Sequence, residues 1–174
     1  PRDLFYYGNE CYDHQLYEEA IASYSNFLET EKGWFNDCIR ACEQGAEAHI
    51  QLGNKKEAMN WVLRSFTYDM PRANLCCKLA FLFMEKQNYA QAIYWYKLAI
   101  SSDLKSVEKS GGLVDYAYYT WLPHLQLCVC YDVLKQYEQA YYHNEMAGLY
   151  RPHNQSVVHN RRYLETLLYK KKDN

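Results

Sequence analysis

The chain has 174 residues, carries a net charge of −2 and is 17% aromatic. This length suits a single domain over residues 1–174, and the near-neutral charge gives no indication of a nucleic-acid partner. No stretch approaches the roughly 20 apolar residues of a membrane span, and no signal peptide is recognisable. We therefore expect a cytoplasmic protein, and the start at Pro1 without an initiator methionine suggests a fragment of a longer chain.

One short phrase occurs four times along the sequence. Each copy has polar residues before an alanine, and the copies span 17–21, 55–59, 89–93 and 137–141. The central alanines are Ala20, Ala58, Ala92 and Ala140, at spacings of 38, 34 and 48 residues. A period near ~34 residues is typical of stacked helix pairs, so the sequence predicts an all-α array of four antiparallel helix pairs.

The predicted elements follow from these anchors in chain order. The repeats are expected near 1–34, 35–71, 72–105 and 118–152. First helices are predicted at 2–14, 36–52, 72–86 and 118–134, and second helices at 17–30, 55–68, 89–102 and 137–150. A capping helix is predicted at about 155–170, because an array needs a polar outer face at its end.

A small residue precedes each of the four alanines by twelve positions. These residues are Gly8, Ala46, Ala80 and Cys128. Small side chains are needed where the backbones of two packed helices come closest, since overpacking costs about 1–3 kcal/mol. The pattern therefore predicts that all four alanines are buried at helix–helix contacts.

The third spacing is long because of an insertion at about 103–117, within the wider segment 101–121. Ser106, Ser110, Gly111 and Gly112 indicate a loop. Insertions in arrays project from one face and often bind partners, and a tolerated surface loop is the alternative. The aromatic residues near its end are candidates for a contact surface: Tyr116, Tyr118, Tyr119 and Trp121.

The cysteines and histidines do not indicate chemistry. Seven cysteines, an odd number, favour a reducing compartment with free thiols. A metal site of His124, Cys128 and Cys130 is disfavoured, because Cys128 and Cys130 lie about 200° apart around a helix. His143 is expected to be a solvated residue of a second helix. We expect no catalytic residue, cofactor or metal in this fragment.

The repeat resembles the tetratricopeptide repeat (TPR), in which small and large residues stand at the same offsets. The resemblance covers nearly the whole chain and implies a right-handed superhelical array with a concave groove lined by first helices. Among chaperone-binding members the groove holds a peptide carboxylate, but here only Asn9 and Lys78 match, and Glu43 and Glu47 would repel it. The groove residues that the resemblance implies are Phe5, Tyr6, Asn9, Tyr12, Arg40, Glu43, Gln44, Glu47, Lys78, Phe81, Met84, Leu122, Leu125, Gln126, Val129 and Val133.

Several longer runs resemble a narrower group. They include 3–8, 92–96, 123–132 and 143–145, and together they are similar to the repeat regions that follow the catalytic domain of bacterial family 2 glycosyltransferases. The resemblance implies a GT-A catalytic domain elsewhere in the parent chain, with the metal-binding acidic motif there. No residue of this fragment matches that motif.

Three functions remain open from the sequence. The first is a non-catalytic interaction module of a glycosyltransferase, which dimerises the enzyme or binds its acceptor. The second is a free-standing adaptor that binds a peptide in its groove, and the third is sugar binding by exposed tyrosine and tryptophan. Because the groove residues of repeats three and four are mostly apolar, we expect the insertion, a second copy or a catalytic domain to cover them.

Overall fold

The computed structural model describes the backbone of residues 1–172 and the side chains of residues 1–169. That part of the chain contains ten α-helices, one 3₁₀ helix and no β-strand, which confirms the all-α class. Residues 173 and 174 of the predicted domain lie outside the described part. The α-helices are α1 Arg2–Asp13, α2 Tyr17–Glu29, α3 Phe35–Gln51, α4 Lys55–Ser65, α5 Ala73–Glu85, α6 Tyr89–Ser101, α7 Leu104–Lys109, α8 Trp121–Val133, α9 Tyr137–Tyr150 and α10 Gln155–Lys172.

Four helix pairs form the predicted repeats. Helix α1 packs against α2, α3 against α4, α5 against α6, and α8 against α9, while α10 packs against α9. The predicted boundaries agree with these helices to within three residues. No described helix is long and apolar enough to cross a membrane.

The insertion contains two short helices, where the sequence predicts a loop. Helix α7 begins after Asp103, whose carboxylate accepts a hydrogen bond from the Ser106 N–H at 3.2 Å, and it buries Val107. Tyr116–Tyr119 then form the 3₁₀ helix, which Asp115 caps. The loop prediction for this part is therefore wrong, because Asp103 and Asp115 cap two short helices that the serine and glycine content does not indicate.

Two compact units divide the chain between the second and third repeats. Unit 1 covers Pro1–Pro71 and contains α1–α4, and unit 2 begins at Arg72 and contains α5–α10. The interior of unit 2 combines small residues with large aromatic ones, of which Tyr96 is 1% exposed.

The four repeat alanines are fully buried, as predicted. Ala20, Ala58, Ala92 and Ala140 are each 0% exposed. The helix that faces Ala20 carries Gly8, where an added Cβ would lie 2.6 Å from the Tyr24 ring. The small-residue pattern therefore marks places where neighbouring helices leave no room for a larger side chain.

All four turns within the repeats have the same backbone conformation. The residue five positions before each alanine has positive φ: Gln15 at 61°, Gly53 at 76°, Gln87 at 57° and Lys135 at 58°. In each turn the next N–H bonds back to a carbonyl five residues earlier, as Gln136 N does to Tyr131 O at 2.9 Å. This is the Schellman motif, which ends a helix with a left-handed residue and favours glycine there.

Only one of these turns has glycine, so the others hold a strained residue. Replacing Lys135 or Gln87 by glycine should raise the free energy of unfolding by about 0.5–1 kcal/mol, because the left-handed conformation costs an ordinary residue roughly 1–2 kcal/mol and glycine adds some entropy to the unfolded chain. Gly53→Ala should lower it by about 1 kcal/mol, since nothing but the backbone angle opposes a Cβ there. Urea unfolding checks these changes, and a destabilised Lys135→Gly would contradict them.

Candidate partner-binding surface

The residues predicted to line the groove all lie on first helices of the repeats, in α1, α3, α5 and α8. Their exposure divides them into three groups. Phe5 is buried. The exposed residues are Tyr6, Arg40, Phe81, Val129 and Val133, and the half-buried residues are Asn9, Tyr12, Glu43, Gln44, Glu47, Lys78, Met84, Leu122, Leu125 and Gln126.

Phe5 is a core residue rather than a surface residue. It is 4% exposed, and its ring centre lies 5.3 Å from that of Phe27 and 6.4 Å from that of Tyr24. Its side chain packs towards α2, so it fills the space beside the close contact at Gly8. The prediction that Phe5 contacts a partner is therefore wrong.

In unit 1, a buried phenol holds two amides of the predicted surface. The Tyr24 hydroxyl lies 2.9 Å from Asn9 Oδ1 and 3.1 Å from Gln44 Oε1, which brings together α1, α2 and α3. Tyr24 is 0% exposed, and burial raises the pKa of its phenol. The phenol therefore stays protonated, and it links the two half-buried amides from the core side of the surface.

The same face of unit 1 is acidic. Loss of water raises the pKa of the Tyr12 phenol, and the charges of Glu47 and Glu43 raise it further. The Gln51 side chain donates a hydrogen bond to Glu47 Oε1 at 3.0 Å. With tyrosine, amides and carboxylates side by side, this face suits polar contacts.

Unit 2 presents an apolar stripe, which we define as Phe81 and Met84 on α5 with Leu122, Leu125, Val129 and Val133 on α8. Phe81 is 45% exposed, Val129 is 39% exposed and Val133 is 48% exposed. Val129 and Val133 are four residues apart, so they share one side of α8. The contrast with unit 1 follows the change from polar to apolar residues that the sequence shows.

The insertion packs beside the stripe without removing it from solvent. The 3₁₀ helix lies against α5, α6 and α8. Its residues Tyr118 and Tyr119 pack against the buried core of unit 2, as Met84 and Leu122 do. Phe81, with the two exposed valines, remains open. Self-coverage by the described insertion is therefore incomplete.

The aromatic cluster of the insertion is mainly structural. Tyr116 is 57% exposed, and its hydroxyl donates a hydrogen bond to Glu108 Oε1 at 2.6 Å. Tyr118 and Tyr119 pack on the core of unit 2, and Trp121 lies under the Arg151 guanidinium at 5.6 Å. Tyr116 alone of the four is exposed.

A buried histidine pair was missed from the sequence. His124 and His143 are 7% and 6% exposed, and their Nδ1 atoms lie 2.9 Å apart. The prediction that His143 is solvated is wrong, because the third position after the repeat alanine faces inward on this helix. The same position is buried in the first two repeats, at Ser23 and Trp61. The tryptophans at this offset in repeats two and three, Trp61 and Trp95, are the sequence signal that would have identified it.

The thiols show no arrangement for chemistry. All seven cysteines are unpaired and buried, and burial raises the pKa of Cys42, Cys76, Cys128 and Cys130 to about 12. Thiols of this kind are inert because the thiolate is the reactive form. Among the described residues, no group of three or more histidine, cysteine or acidic side chains has the arrangement of a metal site.

Solved structures share this fold over most or all of the chain. A crystal structure of MamA covers 97% of this chain and 88% of its own, with a TM-score of 0.71 and 16% identity. A tetratricopeptide repeat protein from Parabacteroides merdae covers 98% of this chain, which spans 59% of that chain, with a TM-score of 0.67 and 16% identity. The first TPR of Spaghetti (RPAP3), bound to the HSP90 peptide SRMEEVD, covers 75% of this chain and 93% of its own, with a TM-score of 0.58 and 16% identity.

These similarities establish the fold, and they confirm the TPR-like architecture predicted from the repeated phrase. No protein-family model matches the sequence, and neither does any curated protein. None of the three structures links the fold to a glycosyltransferase, so that part of the sequence interpretation stays a hypothesis. The chain has a tetratricopeptide-repeat-like fold of four helix pairs and a final helix.

Proposed function

We propose that this chain is a non-catalytic protein-interaction module and that the apolar stripe of unit 2 is its main docking surface. The observation that supports this most is the exposure of Phe81, Val129 and Val133, each at least 39% accessible, on the first helices of their repeats. Groups of solvent-exposed aliphatic and aromatic side chains commonly mark the interaction sites of proteins. The occupant we infer is a protein segment that docks aliphatic side chains on the exposed residues of α5 and α8.

The setting within a larger protein is a finer part of the proposal. The runs at 92–96 and 123–132 resemble the repeat regions of bacterial family 2 glycosyltransferases, which supports a module that dimerises such an enzyme or binds its acceptor in the cytoplasm. A free-standing adaptor that binds a peptide is the alternative. The full open reading frame decides between them, because only the first requires a nucleotide-sugar-binding domain in the same chain.

The docking surface is tested by adding charge to the stripe. The double variant Leu125→Asp and Val129→Asp should lose self-association, or the binding of leucine-bearing peptides, because burying a carboxylate without a partner is costly. Sedimentation velocity measures self-association and fluorescence anisotropy measures peptide binding. Circular dichroism should show that helicity is retained.

A matched control adds the same two charges elsewhere. Gln91→Asp and Gln139→Asp alter exposed residues of the second helices α6 and α9 and should leave assembly and binding unchanged. If the stripe variant assembles and binds peptides as the wild type does, the stripe is not the docking surface and the proposal fails.

A further inference from the structure

A small cavity opens beside the stripe, between α8 and α10. It measures about 60 Å³ and is lined by six residues from the two helices. Its apolar wall includes Cys128 and Leu164, which are 2% and 1% exposed, and Val129 of the stripe borders it. Its polar wall consists of Asp132, Asn160 and Tyr163. The cavity is thus a pit for one side chain, apolar on one side and acidic on the other.

Asp132 has unused capacity to accept hydrogen bonds. Its Oδ1 atom is enclosed and has no hydrogen-bond partner among the described residues. The carboxylate accepts a bond from the Tyr163 hydroxyl, and the pKa of that phenol is raised by loss of water and then by the charge of Asp132. Because a carboxylate accepts up to about four hydrogen bonds, one phenol leaves most of this capacity unfilled.

The neighbouring donors on α10 do not fill it. The Arg161 guanidinium is bound to Glu145, with Nε 2.7 Å from Oε1. The Asn160 amide donates to the Cys128 sulfur at 3.7 Å, so it turns one donor away from the carboxylate. A buried acceptor without a donor is unfavourable. Rotation of the carboxylate about χ2, a broad torsion, would turn this oxygen towards a donor that enters the pit.

We infer that the pit at Asp132 receives a lysine or arginine side chain of the partner, next to an aliphatic residue that docks on Val129 and Val133. The methylene stem of such a side chain would lie along Cys128 and Leu164 while its charged end meets the carboxylate. The partner is therefore a protein segment with a basic residue close to an aliphatic one. The two residues lie one turn apart if the segment is helical, or a few positions apart if it is extended. This inference rests on the proposed docking function of the stripe.

The test uses a set of labelled peptides that differ at one position. Each is an acetylated and amidated 14-residue peptide of alanine and glutamine, with two leucines four positions apart. A lysine, a glutamine or a glutamate stands three residues after the first leucine. Fluorescence anisotropy with the whole chain gives three dissociation constants. We expect the lysine peptide to bind about tenfold more tightly than the glutamine peptide, in keeping with a charge-assisted hydrogen bond, and the glutamate peptide to bind most weakly.

The variant Asp132→Asn keeps the shape of the side chain and removes its charge. It should reduce the preference for lysine over glutamine to less than about twofold, with helicity by circular dichroism unchanged. Glu18→Gln removes the same charge from an exposed position of unit 1 and should keep the full preference. An equal preference in wild type and Asp132→Asn would overturn the inference, and so would no preference or no binding of the lysine peptide to the wild type.

The failure of this inference differs from the failure of the docking proposal. If all three peptides bind equally and Val129→Asp abolishes their binding, the stripe is a docking surface and the pit holds only water. If Val129→Asp changes the binding of no peptide, the stripe itself is not used, and both proposals fall.

Discussion

Lowering the pH from about 7.5 to about 4.5 should destabilise unit 2 through the buried histidine pair. Burial, the nearby His124 and the Lys97 charge lower the pKa of His143 from 6.5 to about 4, and burial also lowers the pKa of His124. The unfolded chain therefore binds protons that the folded chain excludes. The stabilising contribution is complete above the unfolded pKa of 6.5 and is lost as the pH falls towards 4.

Burial and nearby positive charge explain why a proton is unfavourable here. The His143 ring is stacked on Tyr131 at 5.5 Å with an angle of 5° between the planes, and the Lys97 ammonium lies 5.6 Å from the Tyr131 ring centre. Lys97 carries a positive charge, and so does His124 once it is protonated, so both oppose a proton on His143. Over the full window, His143 alone should contribute about 3 kcal/mol, because each tenfold loss of proton affinity on folding corresponds to about 1.4 kcal/mol.

This expectation is checked by urea unfolding at a series of pH values in wild type and His143→Phe. Titration of the carboxylates is common to both proteins and cancels in the difference between them. The variant should therefore lose less stability below about pH 6.5 than the wild type. Hydrogen exchange should show faster opening of α8 and α9 on acidification of the wild type, and equal pH dependence in the two proteins would contradict the assignment.

Replacing Ala92 by leucine should lower the free energy of unfolding of unit 2 by about 1–3 kcal/mol. Ala92 is 0% exposed and belongs to the core cluster that also contains Ala80 and Tyr96. The additional carbon atoms would separate α5 from α6, because the interior is close-packed. Thermal or urea unfolding measures the change.

Ala90 provides the control for this substitution. It lies two residues away on the same helix and is exposed, so Ala90→Leu changes helix propensity equally but does not disturb the core. Its stability should remain within about 0.5 kcal/mol of the wild type. A neutral Ala92→Leu, or equal losses in both variants, would show that α6 has a different register from the one described.

The helix pairs could be predicted because the two helices of each repeat pack against each other in the same way. An alanine at a helix crossing has no substitute of larger size, so Ala20, Ala58 and Ala92 identify the crossings directly. The turns follow from the same spacing, although only Gly53 carries the residue that the left-handed conformation favours. Packing of the helices therefore outweighs local preference at the other three turns.

The surface was harder to predict from the sequence than the core. The repeat offset predicts Phe5 on the groove, but the direction of its side chain depends on Phe27 and Tyr24 in the neighbouring helix. The polarity of His143 predicts a solvated side chain, but the packing of α8 against α9 buries it. The pit at Asp132 depends on α10, whose placement the repeat pattern does not specify.

The shared phenol of unit 1 has a consequence for the direction in which a chain can cross it. Tyr24 has a single hydroxyl proton, so only one of the amides of Asn9 and Gln44 can accept it, and the other must turn its NH₂ towards the phenol oxygen. The outer ends of the two amides then offer one donor and one acceptor, in either order. A peptide group, which also has one N–H and one C=O, would therefore find matching partners whether its chain ran from α1 to α3 or from α3 to α1.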